Sequence, residues 1–285
     1  MKFRTIVDIP RAPFSIQPCE EMLFVGSCFA ENIGSRFVAD RFRATVNPYG
    51  VMYNPASILH TVQRYLRGEG MATAGTPKTV VMTLGTSHVY VLRDTGEIVD
   101  NCRKRPQRLF EERDLTIDEC ADCLSEAVRL LLTRRNDVRV IMTVSPIRYA
   151  KYGFHESALA KSTLLLAIDS VTRSMGDTVH YFPAYEIVLD ELRDYRFYRE
   201  DMLHPSEQAV TYIWERFSET YFSEDTMRFL GEWQPIKAAL AHRPFDAESQ
   251  EYKDFLQKTM DRYEALRQKY PELGDLGQAS CAPGA

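Results

Sequence analysis

The chain has 285 residues, 45% hydrophobic and 26% charged, so it carries enough apolar content for a sizeable core and does not read as disordered. Its formal net charge of −5 argues against a general nucleic-acid binder, which carries a basic surplus. No window approaches the roughly 18 apolar residues of a membrane span, and residues 1–15 lack the apolar core of a signal peptide. These absences give the expectation of a cytoplasmic protein with no membrane partner.

Met22-Leu23-Phe24-Val25 predicts a short buried strand, stopped at Gly26. From 28 to 41, Phe29, Ile33, Phe37 and Val38 recur at helical spacing, so strand and helix join directly at Gly26-Ser27. A weaker strand at 43–46 runs into the turn Asn47-Pro48-Tyr49-Gly50. Asn54-Pro55 then precedes a helix over 56–67, and a strand follows at 79–84. Residues 89–92 and 97–99 flank Asp94-Thr95-Gly96 as a hairpin. A helix at 117–135, a strand at 138–144, a helix at 156–175 and a strand at 179–182 come next. Helices are expected at 184–193 and 207–221, and charge-rich helix from 225 to 270. Strands alternating with helices predict an α/β fold whose mostly parallel sheet is covered on both faces. In such sheets, sites lie beyond the carboxyl ends of the strands.

The six cysteines, at 19, 28, 102, 120, 123 and 281, form no disulfide or zinc framework and read as free thiols. Nothing in the sequence calls for a metal or an organic cofactor. Arg103-Lys104-Arg105 reads as a solvated loop.

Ser27 stands where the first strand gives way to its helix. There the free N–H groups and the positive dipole end favour an oxyanion beside the hydroxyl, although a serine at this position is also a good helix cap. Asp201 and His204, three apart and ahead of Pro205, can fold so that the carboxylate meets Nδ1 and leaves Nε2 free to take a proton from a serine. A turn aspartate beside a surface histidine is the alternative. Cys28 is a weaker candidate nucleophile, because its side chain should turn into helix packing. His155 is either a substrate contact or a helix-entry residue. Arg148 and Lys161 either hold an anionic substrate group or form structural ion pairs.

A serine after the first strand, with Asp-x-x-His near the last core helix, resembles the SGNH or GDSL hydrolase superfamily. Gly26-Ser27-Cys28-Phe29-Ala30 more closely resembles the GSCFA family within it. Similar family blocks are Asn47-Pro48-Tyr49-Gly50, Thr83-Leu84-Gly85-Thr86, Ser145-Pro146-Ile147-Arg148, and Asp194-Tyr195-Arg196-Phe197-Tyr198 leading into Asp201-Met202-Leu203-His204-Pro205. The resemblance implies a flavodoxin-like three-layer α/β/α fold and a Ser27/His204/Asp201 triad. It also implies oxyanion donors on the loops after the second and third strands, of which Gly50 is one, joining the Ser27 N–H. The usual Gly-x-Asn-Asp is replaced by Gly85-Thr86-Ser87-His88, so Asn101 is the expected substitute for the missing amide. Gly85, His88 and His155 are the expected substrate contacts.

The expected organisation is a hydrolase domain over 1–240, a helical extension over 241–272 and a disordered tail over 273–285. The expected function is serine-dependent hydrolysis or transfer of an acyl ester, carried by a small molecule or a glycan. The alternative is a degenerate scaffold that binds a glycan or protein without turnover. Either reading leaves open a homodimer through the C-terminal helices.

Overall fold

The structure, a computed structural model, describes residues 4–70 and 75–276. Five parallel strands form the central sheet: β1 (Glu21–Gly26), β2 (Arg43–Val46), β3 (Thr79–Leu84), β7 (Arg139–Val144) and β8 (Val179–Tyr181). Their order is β2-β1-β3-β7-β8. The chain first steps from β1 to β2 on one side, then crosses back to β3 on the other. Right-handed crossovers therefore put the two sets of helices on opposite faces.

Alternation along the strands feeds two cores. Met22 and Phe24 of β1 point into one, with α1 (Cys28–Ala39) and α6 (Glu207–Tyr221). Leu23 and Val25 point into the other, with α2 (Pro55–Leu66), α3 (Ile117–Arg134) and α4 (Phe154–Ser174). The α/β/α layering expected from the sequence is thus present. Phe37 of α1 anchors the first core: its ring lies 5.1 Å from Phe24, 4.8 Å from Phe42 and 4.9 Å from Trp214. Such pairs contribute about 0.5–1.5 kcal/mol each beyond area burial.

A second, antiparallel sheet is added to the sheet's carboxyl edge: β5 (Ile98–Val99), β4 (His88–Leu92) and β6 (Phe110–Asp114), in that order. The hairpin partners match the sequence reading, but β6 does not appear in it. Its residues, Phe-Glu-Glu-Arg-Asp, bury only Phe110 and have little strand character of their own. Pairing with the free edge of β4 makes them a strand.

The helix expected at 184–193 is also different. A short α5 (Ala184–Glu186) passes directly into a π-helical stretch, Ile187–Leu192, which ends at Arg193 with φ 28°.

Helices α7 (Glu224–Leu240) and α8 (Gln250–Lys269) do not stand apart from the α/β body. Phe229, Trp233 and Ile236 of α7, with Tyr263 and Leu266 of α8, belong to the same core as Phe24 and Phe37. Trp233 Nε1 donates to the Ala39 carbonyl at the end of α1. Leu273, assigned from sequence to the tail, is buried in that core within the turn Pro271–Leu273. Residues 277–285 of the expected tail lie outside the described residues. Among the described residues, no helix is long and apolar enough to cross a membrane.

Candidate active site

The switch point of the sheet lies between β1 and β3, where the two crossovers diverge; in open α/β sheets ligands bind beyond the strands' carboxyl ends at such a point. Gly26 ends β1 there, in register with Thr83 of β3. Its φ is +132°, and a Cβ at this position would lie 2.1 Å from the Thr83 carbonyl oxygen, so only glycine fits. This close approach sets the next residue, Ser27, against the same threonine. The Ser27 N–H donates to the Thr83 carbonyl (3.0 Å) and to Thr83 Oγ1 (2.9 Å). Ser27 Oγ shares a 2.9 Å hydrogen bond with Thr83 Oγ1 and accepts the Phe29 N–H at 3.2 Å. Ser27 therefore does cap α1, and it is only 1% exposed.

The loop after β2 is fastened to the same turn. Asn47 Oδ1 accepts the Gly26 N–H at 3.0 Å, and the Gly26 carbonyl accepts the Met52 N–H at 2.9 Å. Gly50, between them, donates its N–H to the Asn47 carbonyl. The buried Asn47 Nδ2 has no hydrogen-bond partner among the described residues.

Asp201 and His204 are paired. Asp201 Oδ2 lies 2.6 Å from His204 Nδ1, while Oδ1 accepts the N–H groups of Leu203 (2.8 Å) and His204 (2.9 Å). The backbone N–H of His204, then that of Leu203 and the imidazole, hold the carboxyl down at about 2. The turn is tight enough to place Met202 at φ 57°. It is tied to the strand end at β7: the Arg148 N–H donates to the Leu203 carbonyl at 3.0 Å, and the Arg148 guanidinium donates to the Met202 carbonyl at 3.0 Å. The strand β7 is two positions from β1, roughly 10 Å at ordinary strand spacing. The acid–imidazole pair and Ser27 thus share one edge of the sheet. No hydrogen bond joins Ser27 to His204 among the described residues.

The remaining expected residues are spread along this edge. The Gly85 N–H donates to the Tyr53 carbonyl at 2.7 Å. His88 lies on β4, its Nε2 3.1 Å from Glu112 and its ring 4.3 Å from that of Tyr152. His155 is exposed in the first turn of α4. Asn101 is exposed on the β5–β6 connection, where its Oδ1 accepts the Arg103 N–H at 2.7 Å. Two features were missed from sequence. One is Thr83, whose role depends on strand register. The other is a row of tyrosines: Tyr53 lies 6.2 Å from Tyr149, and Tyr149 lies 6.0 Å from Tyr152. Cys28 Sγ lies 3.6 Å from the Tyr53 hydroxyl.

The sequence model described as "GSCFA family" matches residues 21–75 and 70–217. The chain belongs to the GSCFA family. A second model, "GSCFA domain protein, C-terminal domain", matches residues 233–278. The GSCFA motif, Gly26 to Ala30, is therefore the β1–α1 junction, and the second match covers α7 from Trp233 onward and all of α8.

Solved structures similar to this GSCFA chain include a family two carbohydrate esterase from Clostridium thermocellum in complex with cellohexaose. It is 12% identical, with 72% of this chain and 64% of that chain covered and a TM-score of 0.44. A family 3 carbohydrate esterase from the same organism is 12% identical, with coverage of 75% and 98% and a TM-score of 0.42. A family 3 carbohydrate esterase from Talaromyces cellulolyticus is 11% identical, with coverage of 74% and 99% and a TM-score of 0.41. No curated protein matches the chain.

Proposed function

We propose that this GSCFA protein is a serine hydrolase or acyltransferase of the SGNH type, acting on an acyl ester. The observation that carries the reading is the 2.6 Å Asp201–His204 pair, held by Arg148 at the sheet edge where Ser27 stands. In this reading Asp201 fixes the imidazole tautomer with the proton on Nδ1. His204 Nε2 takes the Ser27 proton, and Oγ leaves Thr83 to attack the acyl carbon. The alcohol departs with the proton returned by His204, leaving an acyl-enzyme. Water resolves it in hydrolysis; a second hydroxyl, such as that of a sugar, resolves it in transfer.

The oxyanion needs N–H donors near Ser27. The Ser27 and Gly50 N–H groups serve in this role only by exchanging Thr83 and Asn47 for substrate. Asn101 is exposed on the added sheet, so we assign the missing amide to Asn47. Its Nδ2 has no partner among the described residues, and its Oδ1 is anchored on the residue before Ser27. The carbohydrate carrier is proposed on the superfamily resemblance alone.

The burial of Ser27 favours a second reading, a scaffold that binds its ligand without turnover. A fluorophosphonate probe with intact-mass detection separates the two. The wild type gains one adduct and Ser27→Ala gains none if the triad is competent. An unlabelled wild type, or equal labelling of the variant, rejects the serine enzyme.

A further inference from the structure

Beside the Asp201–His204 turn lies a cavity of about 140 Å³. Arg148, Phe154, Ser157, Lys161, Tyr185 and Tyr198 are among its walls. Lys161, on α4, is only 3% exposed. Its Nζ donates one hydrogen bond, to the Ser145 carbonyl at 2.7 Å, and lies 5.8 Å from the Tyr185 ring centroid. The Arg148 guanidinium carbon lies over Phe154, 4.0 Å from its ring centroid, and 5.6 Å from that of Tyr198. Neither cation forms an ion pair among the described residues. The sequence reading left structural ion pairs as one of two roles for these residues; the structure supplies no carboxylate to either.

A buried ammonium without a counter-ion is costly, and two cations facing one cavity repel each other. The cost is relieved by an anion seated between them, where Lys161 has two further N–H donors and Arg148 has a planar fork. The aromatic walls offer apolar contact to the rest of such a ligand. We propose that this cavity is a binding site for a small organic carboxylate, held by Lys161 and Arg148 against Phe154, Tyr185 and Tyr198. Desolvation of the empty site pulls the Lys161 ammonium down to about 7, which an arriving carboxylate reverses. The site does not depend on the chemistry proposed for Ser27, and its test involves no turnover.

Isothermal titration of the full-length protein with sodium benzoate at pH 8, with benzamide as the neutral isostere, tests the site. We expect saturable benzoate binding and no benzamide binding. Repeating the titration in buffers of different ionisation enthalpy should show uptake approaching one proton per benzoate. Arg148→Gln should weaken benzoate about tenfold or more, and Lys161→Met should remove both binding and proton uptake. If Lys161→Met does not fold, Arg148→Gln and the buffer comparison still decide. The absence of saturable benzoate binding overturns the proposal. Equal affinity for benzamide, absence of proton uptake, or undiminished affinity in Arg148→Gln also overturns it.

Discussion

Thr83 Oγ1 lies 2.9 Å from Ser27 Oγ and accepts the Ser27 N–H at the same distance, so one threonine engages both polar groups of the proposed nucleophile. Both residues are buried. Thr83→Val keeps the shape of the strand but leaves the Ser27 hydroxyl without that partner. We expect a loss of about 1–3 kcal/mol in urea denaturation. An unchanged midpoint and slope would show that the pair adds nothing to stability.

Replacing Asp201 by Asn tests the orienting carboxylate in two ways. Under the proposed function, kcat for a p-nitrophenyl ester should fall by about 10⁴, the magnitude found when a triad aspartate loses its charge in serine proteases. Acid stability gives a second readout. Backbone donors hold the folded carboxyl at about 2, below its ordinary value of 3.8. A depressed carboxylate contributes stability that is present above the unfolded pKa and lost as pH falls through the folded one. The wild type should therefore lose denaturation midpoint between about pH 4 and 2 more steeply than Asp201→Asn. Parallel curves would mean that the carboxylate is not held this way in solution.

For Lys161 the direction is the same, in a higher pH window. Its folded pKa of about 7 lies below the ordinary lysine value of 10.5, so the unfolded chain binds more protons between these limits. Stability contributed through this group therefore rises with pH across that window. Lys161→Met removes the effect. Urea midpoints at pH 7, 8 and 9 should show the wild type gaining on the variant as pH rises. A constant difference between the two would show that the ammonium is not buried as described.

Trp233 tests whether the C-terminal helices share the core of the sheet. It is 2% exposed and belongs to the cluster of Phe24 and Phe37. Truncation to Ala should cost about 3–5 kcal/mol and lower a single unfolding transition. Two separate transitions, with only one moved, would make α7 and α8 an independent unit.

The parts of the fold that were legible in the sequence have strong local signals. Ser27 is the side-chain cap directly ahead of α1, and Phe29, Ile33 and Phe37 mark the buried stripe of that helix. Asp201 and His204 were legible because the whole pair sits within one turn. What was hidden depends on partners distant in sequence. The strand β6 exists through β4, and Thr83 meets Ser27 only because β3 pairs with β1 in one register. Asn101 was the substitute amide that the family resemblance implied, yet its loop connects β5 and β6 of the added sheet. Structural ion pairs were one of two roles open to Arg148 and Lys161, and among the described residues neither meets a carboxylate, a gap that no residue count reveals.

The shared core has a consequence for how this polypeptide is made. Phe24 and Phe37 are translated well before Trp233, Tyr263 and Leu273, which complete their surroundings and emerge only after every strand of the sheet. Until then the growing chain displays an unfinished aromatic surface, the kind of intermediate that associates wrongly or recruits chaperones. A ribosome stalled before α8 would hold a sticky, incomplete molecule rather than a finished α/β body.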